Sequence, residues 1–396
     1  MEEKTRKTVK ILISVFIGIV ISVLSLIVLV LLLFSTQREI LITLLFVSYV
    51  SIIVFLISWN KIKSKVIYFL FLVSVVCIIS GAAVIKYQFY VDEIPTVNQD
   101  ISLGGYAPFG ESGYLAELDE ESKLNINDNL PVLDGATALY PVYASFVQAV
   151  YPKGNYYVND YKPMSGYPVF CNKTDGAYDN LFEGKADIIF CAEPSDTQLK
   201  RFTDNGIKVK FTAIGREAFV FFVNKENKVN NLTIENIQGI YSGRIKNWKK
   251  VNGANRRIRA FQRPKNSGSQ TLLEKIMGGN PIIKPRRENV SWGMGTIINQ
   301  VADYRNFSNA IGYSFLFFST KMVKNDHIKL LSVNGISPST ETIQDNSYPF
   351  SESFYAIYIE NDEKNENIES FIEWILSEQG QTLVQRTGYV PIKNQQ

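Results

Sequence analysis

The chain has 396 residues, a formal net charge of +3, one histidine and three cysteines. A net charge this small gives no overall indication of nucleic-acid binding. The single histidine leaves little room for histidine-based metal sites or catalytic triads, so we expect no metal, no cofactor and no nucleic-acid partner.

The N-terminal 86 residues contain three strongly apolar segments without a charged residue. They cover residues 11–34, 40–59 and 66–85. At 1.5 Å per residue, about 20 apolar residues cross the hydrocarbon core of a bilayer. The sequence therefore predicts a membrane anchor over 1–86 with three transmembrane helices. A cleaved signal peptide would be shorter than the first segment and would end at a site of small residues, which does not follow it.

Basic residues around these segments predict their orientation. The loop between the first two segments has only Arg38, whereas the N-terminal tail and the next loop carry several basic residues: Lys4, Arg6, Lys7, Lys10, Lys61, Lys63 and Lys65. Because cytosolic flanks are enriched in Lys and Arg, we expect a cytosolic N-terminus. Three crossings then place the C-terminal domain outside, in a multi-pass protein of the cell membrane.

Residues 87–129 are rich in Gly, Ser, Asn and acidic residues and are predicted to be a linker. From 130 to 396, short apolar runs alternate with helical patterns, which is typical of an α/β fold. About 265 residues are many for a single core, so we expect two lobes. The long extended runs at 211–227 and 330–352 are the candidate bridges between them.

The cysteines do not form a metal-binding pattern. Cys77 lies in the third apolar segment, where we expect it to pack in the membrane. Cys171 and Cys191 lie in the external part, where a disulfide is permitted. Sequence does not define the geometry that a disulfide needs, so their pairing stays open.

Two stretches combine a glycine with a predicted helix start. In "DGATALYP", Thr137 is a candidate N-cap. In "RPKNSGSQT", Ser267 and Gln270 fit a capping box, and Gly268 would allow a ligand to approach the backbone. Helix N-termini bind anions through unpaired N–H groups, yet ordinary capping explains both stretches equally well.

Two charged residues add to this pattern. Arg263 lies just before the second helix start, where a guanidinium is costly unless an anion lies between them. A surface arginine with a distant partner is the alternative. Glu193 follows an apolar strand and could accept the proton of an anion such as hydrogen phosphate, or it could be an exposed glutamate at a strand end.

Five blocks of the external part resemble the solute-binding proteins of phosphate ABC importers. They read "DGATALYPVY", "GKADIIFCAEPS", "NLTIENIQGIYSGRIKNWKKVNG", "RPKNSGSQTLLEKIMG" and "NAIGYSFLFF". The resemblance implies a two-lobed type II periplasmic-binding-protein fold over 130–396. Lobe 1 would comprise about 130–215 and 338–396, and lobe 2 about 216–337.

The same resemblance implies a ligand-binding set with no catalytic residue. Its members are Thr137, Ala138, Thr174, Glu193, Arg263, Ser267, Gly268 and Ser269. Glu193 stands where the family usually has an aspartate, and Thr174 is the match for a serine of the first lobe. Glutamate is longer by one methylene, which puts phosphate in doubt relative to other oxyanions.

The expected function is a membrane-tethered, extracytoplasmic protein that binds phosphate or a similar oxyanion for ABC-type import. Its partners would be the bilayer and an ABC permease. Two alternatives use the same fold: a phosphate sensor or regulatory receptor acting through a membrane partner, and a surface scaffold that has lost its ligand. We do not expect an enzyme, because no set of nucleophile, base and orienting group is found in the sequence.

Overall fold

The structure is a computed structural model that describes residues 5, 8, 9, 65–98, 101–156, 168–285, 303–360 and 365–392. The chain forms two compact units, Met1–Ile94 and Pro95–Gln396. In the first unit, helix α1 runs over Lys65–Asp92.

The predicted segments 11–34 and 40–59 lie outside the described residues, whereas 66–85 falls within α1. Among the helices that are described, none is both long and apolar enough to cross a bilayer. The predicted three-helix membrane segment is therefore not confirmed.

The second unit alternates strands and helices, as the sequence predicts. Its strands are β1 (Thr96–Asn98), β2 (Leu133–Gly135), β3 (Ile188–Cys191), β4 (Val209–Asn224), β5 (Asn231–Leu232), β6 (Arg259–Ala260), β7 (Asp303–Arg305), β8 (Ala310–Phe315), β9 (Ile328–Leu330), β10 (Ser332–Val333) and β11 (Ser351–Ile359). Its helices are α2 (Tyr140–Val150), α3 (Lys173–Phe182), α4 (Asp196–Asp204), α5 (Ile234–Tyr241), α6 (Gly268–Met277), α7 (Thr340–Gln344), α8 (Asn367–Leu376) and α9 (Glu378–Thr387).

Strand β4 connects the two lobes of this unit. The main sheet has the order β2-β3-β11-β4-β8-β6, and β9 also pairs with β4. The first part of β4, up to Ala218, pairs antiparallel with β11, and the part from Phe219 pairs with β8 and β9. One continuous 16-residue strand thus passes from lobe 1 into lobe 2, along the first of the two extended runs that the sequence suggests as bridges.

Each lobe has its own aromatic core. In lobe 1, Tyr143 stacks on Phe190 with ring centroids 4.9 Å apart. In lobe 2, Phe219 packs against Tyr313 at 5.3 Å. The run Phe219–Val223 is buried at every position, because β4 is covered on both faces where it enters lobe 2.

The return to lobe 1 lies later in the chain than the sequence suggests. Ile343, Tyr348 and Phe350 pack in the core of lobe 2, although residues from 338 on are assigned to lobe 1 from the sequence. The chain returns with β11, whose first residue, Ser351, pairs with Ala218. The apolar spacing of this segment does not reveal which of two neighbouring cores receives it.

From Pro95 on, the segment predicted as a linker, 87–129, is part of the second unit. Leu103 and Ile126 are buried in the core of lobe 1, and β1 pairs antiparallel with β7. A few apolar residues spaced through a polar sequence are enough to hold the segment in place, which explains why its composition alone was misleading.

Candidate functional site

Two helix N-termini, one from each lobe, face each other. Helix α3 of lobe 1 begins at Lys173, and α6 of lobe 2 begins at Gly268. A β-carbon added to Gly268 would lie 3.0 Å from Thr174 Oγ1, in the first turn of α3. A side chain at this position would therefore displace the threonine hydroxyl.

A small cavity lies where the two helices meet. It has a volume of about 20 Å³, which is room for about one water molecule. Its walls come from both lobes and include Ala138, Thr174, Glu217, Gly268, Glu352 and Phe354. The lobes are thus closed on one another in this structure.

The lobe 1 wall is built on the buried carboxylate of Asp134, in the middle of β2. Its oxygens accept hydrogen bonds from the backbone of Gly135 and Asn172 and from the side-chain amides of Asn172 and Asn180. Burial raises the pKa of Asp134, and these hydrogen bonds oppose the rise. Asp134 fixes the residue before α3 relative to β2, a role that the sequence reasoning missed.

Gly135 has to be glycine at this place. A β-carbon would lie 2.6 Å from the backbone oxygen of Phe190 on the neighbouring strand and 2.9 Å from the ring of Tyr143. The signal for this part of the site was present in the sequence as "DG" at a strand end.

Thr137 is not the helix cap that the sequence suggests. A short 3₁₀-helix covers Thr137–Leu139, and α2 starts only at Tyr140, without a side-chain cap at Leu139. Proline at the second position of α2 suits a helix start, since it has no N–H to satisfy. Thr137 is half-buried, and the next residue, Ala138, lines the cavity.

The predicted capping box at α6 is also absent. Ser267 is the N-cap residue, but its hydroxyl donates to the backbone oxygen of Pro264. The side-chain oxygen of Gln270 accepts hydrogen bonds from the backbone N–H of Arg263 and from the hydroxyl of Tyr313. The glutamine thereby fixes the backbone before α6 instead of capping it. Ser269, in the first turn, is half-buried.

Arg263 is half-buried in lobe 2 and does not line the cavity. Burial raises the pKa of Tyr304, and the guanidinium of Arg263 acts to lower it. The positive charge of Arg263 therefore acts on Tyr304 of the same lobe.

Glu193 lies at the surface, and its side chain is 46% exposed. Its carboxylate is 3.2 Å from Lys275 Nζ of α6 and accepts a hydrogen bond from Tyr355 Oη at 3.2 Å. The same lysine lies 3.2 Å from a carboxylate oxygen of Glu352. Glu193 thus takes part in an ion pair between the lobes, outside the cavity.

A second contact between the lobes is made next to α6. The Asn266 side chain accepts a hydrogen bond from Ser195 Oγ at 3.0 Å, and its backbone oxygen accepts one from Gln198 Nε2 at 3.5 Å. Asn266 has a left-handed backbone with φ of 65°, which asparagine tolerates better than most residues.

Glu217 is the ionisable group that the sequence reasoning missed altogether. It lies in the middle of β4, is 6% exposed and lines the cavity. Burial raises the pKa of Glu217 to about 8. The sequence gives one indication of this buried glutamate, which is its position in the extended apolar run "REAFVFFV". A glutamate in such a run either is buried or interrupts the strand.

Cys171 and Cys191 are both buried free thiols. Cys171 Sγ lies 3.6 Å from the backbone oxygen of Gly135 and 3.9 Å from Thr137 Oγ1. The disulfide left open by the sequence does not form in this structure. In the described part of the chain, no group of His, Cys, Asp or Glu side chains is placed to hold a metal ion.

Three of the eight predicted site residues, Ala138, Thr174 and Gly268, come together at the cavity. Thr137, Ser267 and Ser269 are close to them in sequence. Arg263 and Glu193 are separate, one within lobe 2 and the other at the surface. In this closed conformation the cavity is too small for the predicted ligand, so binding requires the lobes to separate.

The comparisons with known proteins agree with this architecture. A family described as a PBP superfamily domain matches residues 131–379. A structure from Clostridium perfringens, described as a phosphate ABC transporter substrate-binding protein with bound phosphate, is similar with a TM-score of 0.50 and 23% identity. The similarity covers 68% of this chain and 100% of that one, and it supports the predicted two-lobed α/β fold.

Several curated relatives are named phosphate-binding protein PstS. The one from Borreliella burgdorferi is 29% identical over 188 residues, which is 46% of this chain and 66% of the relative. The one from Staphylococcus saprophyticus is 27% identical over 225 residues, which is 55% of this chain and 69% of the relative.

Proposed function

The chain belongs to the PBP superfamily, and from this premise we propose that it is a solute-binding protein that takes phosphate between its two lobes. The relatives named phosphate-binding proteins favour phosphate among the oxyanions. We further propose that the protein delivers this ligand to an ABC-type importer.

The observation that carries the proposal is the meeting of the α3 and α6 N-termini across the lobes. Each start provides N–H groups without a partner inside its own helix and a partial positive charge. Two such ends pointing at one cavity form an anion site of the kind that phosphate uses. Gly268 has no side chain, so an anion oxygen can reach the backbone of α6.

The proposed ligand set keeps all the predicted residues: Thr137, Ala138, Thr174, Glu193, Arg263, Ser267, Gly268 and Ser269. Three of them already line the cavity. Arg263 and Glu193 would reach the ligand when the lobes reclose around it. For Glu193 this requires that its ion pair with Lys275 breaks.

The mechanism is opening and closing about β4 and the start of β11. These strands connect lobes with separate cores, so a change of a few backbone angles near Ala218 and Ser351 would open the cleft. Closing over an anion excludes water, which strengthens each charge-assisted hydrogen bond.

We also propose that the N-terminal region anchors the protein to the cell membrane, with the second unit outside. The apolar segments 11–34, 40–59 and 66–85 and the distribution of basic residues support this. Protease treatment of intact cells is expected to remove the second unit. Its complete protection, with digestion only after lysis, would contradict this topology.

Thermal unfolding of the purified full-length chain in detergent tests the binding proposal. A ligand that binds only the folded state at 100 times its Kd stabilises the protein by about 2.7 kcal/mol. Phosphate is expected to raise Tm in a concentration-dependent way, and sulfate and molybdate are expected to raise it less. The same Tm with and without all three anions would contradict the proposal.

A further inference from the structure

Glu217 occupies an unusual place for a carboxyl group. It lies on β4, next to the point where this strand leaves β11 for β8, and its side chain is almost fully buried. Oε1 accepts a hydrogen bond of 2.6 Å from Phe317 N–H. Among the described residues, the carboxyl makes no other hydrogen bond, so its other oxygen is available to a ligand.

Two cavities meet at this side chain. One is the interlobe cavity of about 20 Å³, which Glu217 lines together with Thr174 and Gly268. The other is a larger cavity of about 240 Å³, which it lines together with Arg216 and Tyr389. Glu217 is therefore shared by the proposed anion site and by a space that is large enough for several water molecules.

The charges around Glu217 are arranged asymmetrically. Its cross-strand partner on β11 is Glu352, whose carboxylate is paired with Lys275. The groups that face it from the larger cavity are Arg216, Lys321, Glu341 and Tyr389. Two ionised carboxylates facing each other across strands would repel, so a neutral Glu217 beside a paired Glu352 is the favourable arrangement.

A neutral carboxyl differs from a carboxylate in what it offers to an anion. A carboxylate only accepts hydrogen bonds, whereas a carboxylic acid has one O–H to donate. Burial keeps the proton on Glu217 at neutral pH, since it raises the pKa to about 8. At pH 7 the group is therefore a donor beside the helix N-termini rather than a negative charge.

We propose that Glu217 is a ligand-contacting residue of the cleft, and that its carboxylic acid O–H donates a hydrogen bond to an oxygen of the bound oxyanion. Anion binding is then coupled to retention of one proton on this side chain. The inference rests on the proposed function, because it concerns the same site. It gives the cleft a neutral donor contributed by the connecting strand rather than by either helix.

The coupling has a defined sign. Loss of the proton turns the donor into a buried negative charge that repels the anion. The titration of Glu217 is therefore expected to leave phosphate affinity unchanged well below pH 8 and to lower it above pH 8, by up to about tenfold per pH unit. Between pH 7 and pH 9.5 this amounts to a loss of about thirtyfold.

The test is titration calorimetry of the full-length chain with inorganic phosphate at several pH values from 7 to 9.5. Wild type is compared with Glu217→Gln, whose amide stays neutral, and with Glu226→Gln, an exposed glutamate beyond the end of β4. The titration of phosphate itself is the same for all three and cancels in the ratios. The readout is the change of affinity with pH, not its value at pH 7.

Wild type and Glu226→Gln are expected to lose about thirtyfold more affinity than Glu217→Gln over this range. Equal pH profiles for wild type and Glu217→Gln would overturn the inference while leaving phosphate binding intact. No binding by wild type at any pH would instead reject the proposed function. If Glu217→Gln does not fold, the protons that wild type takes up when it binds phosphate can be measured by calorimetry in buffers of different ionisation enthalpy. Near pH 9, uptake of close to one proton more than the titration of phosphate accounts for would support the inference. No additional proton uptake would contradict it.

Discussion

Lys275 of α6 and Glu193, in the loop after β3, form an ion pair of 3.2 Å that joins the two lobes. Together with the pair between Lys275 and Glu352, it stabilises the closed arrangement without any ligand. Both partners are about half-exposed, so the contribution is modest, at most about 1 kcal/mol.

Lys275→Met is expected to shift the protein without ligand toward the open form. Since the closed form without ligand has no room for phosphate and its ion pair holds Glu193 away from the ligand, phosphate affinity should rise by up to about fivefold. Scattering at small angles should show a larger radius of gyration. Lys200→Met is the matched control, because Lys200 pairs with Asp204 inside α4 and not between lobes. The same expansion in both variants would rule out a specific role for the interlobe pair.

Gly268→Ala tests the close approach of the helix starts. Its β-carbon would lie 3.0 Å from Thr174 Oγ1, and overpacking of this kind costs about 1–3 kcal/mol. Because the added methyl group would also occupy the place where an anion oxygen is proposed to reach the backbone of α6, we expect phosphate binding to weaken at least fivefold. Gly104→Ala meets only an ordinary contact of 3.7 Å and should bind like wild type. Unchanged affinity in Gly268→Ala would mean that the anion does not approach the backbone of α6 at this position.

Glu217 should make folding stability depend on pH. Burial raises its pKa from 4.5 to about 8, so the folded protein binds this proton more tightly than the unfolded chain. The stability that the proton contributes is fully present below about pH 4.5 and is lost as the pH rises to about 8. Within that window the slope is at most about 1.4 kcal/mol per pH unit.

Urea unfolding of wild type and Glu217→Gln from pH 5 to 8.5 measures this slope. Carboxyls with a lowered pKa, such as Asp119 and Asp345, are ionised in both the folded and the unfolded protein over this range, and the difference between the two proteins isolates the contribution of Glu217. Relative to the variant, wild type should become steadily less stable as the pH rises. A constant difference would mean that Glu217 is ionised in the folded protein.

The α/β fold could be predicted because it depends on patterns that are local in sequence. Alternating apolar runs define β3, β8 and their neighbours, and Thr233 caps α5 in a capping box. Packing choices could not be predicted in this way. The segments 103–126 and 343–350 have apolar residues, but their sequence does not say that one packs on lobe 1 and the other on lobe 2.

The site was predictable where backbone geometry decides it and unpredictable where side chains choose partners. Gly268 and Thr174 meet because their helices start at the cleft. Ser267 and Gln270 have the spacing of a capping box. Gln270 instead accepts hydrogen bonds from the backbone of Arg263 and from the hydroxyl of Tyr313, because these tertiary partners take the place of the N-cap backbone. Glu217 was missed because a strand's alternation does not show that both of its faces are covered.

Titration calorimetry of the full-length chain with phosphate, repeated with Arg263→Ala, tests the central claim most directly. Removing a guanidinium that is paired with an anion in a closed cleft costs about 2–5 kcal/mol or more of binding free energy. Wild type should therefore bind phosphate, and Arg263→Ala should lose at least about thirtyfold in affinity. Arg256→Ala, which removes an exposed arginine bonded to Ser308 in the same lobe, should bind like wild type. Absence of heat with wild type, or equal affinity in wild type and Arg263→Ala, would contradict an oxyanion site between the lobes.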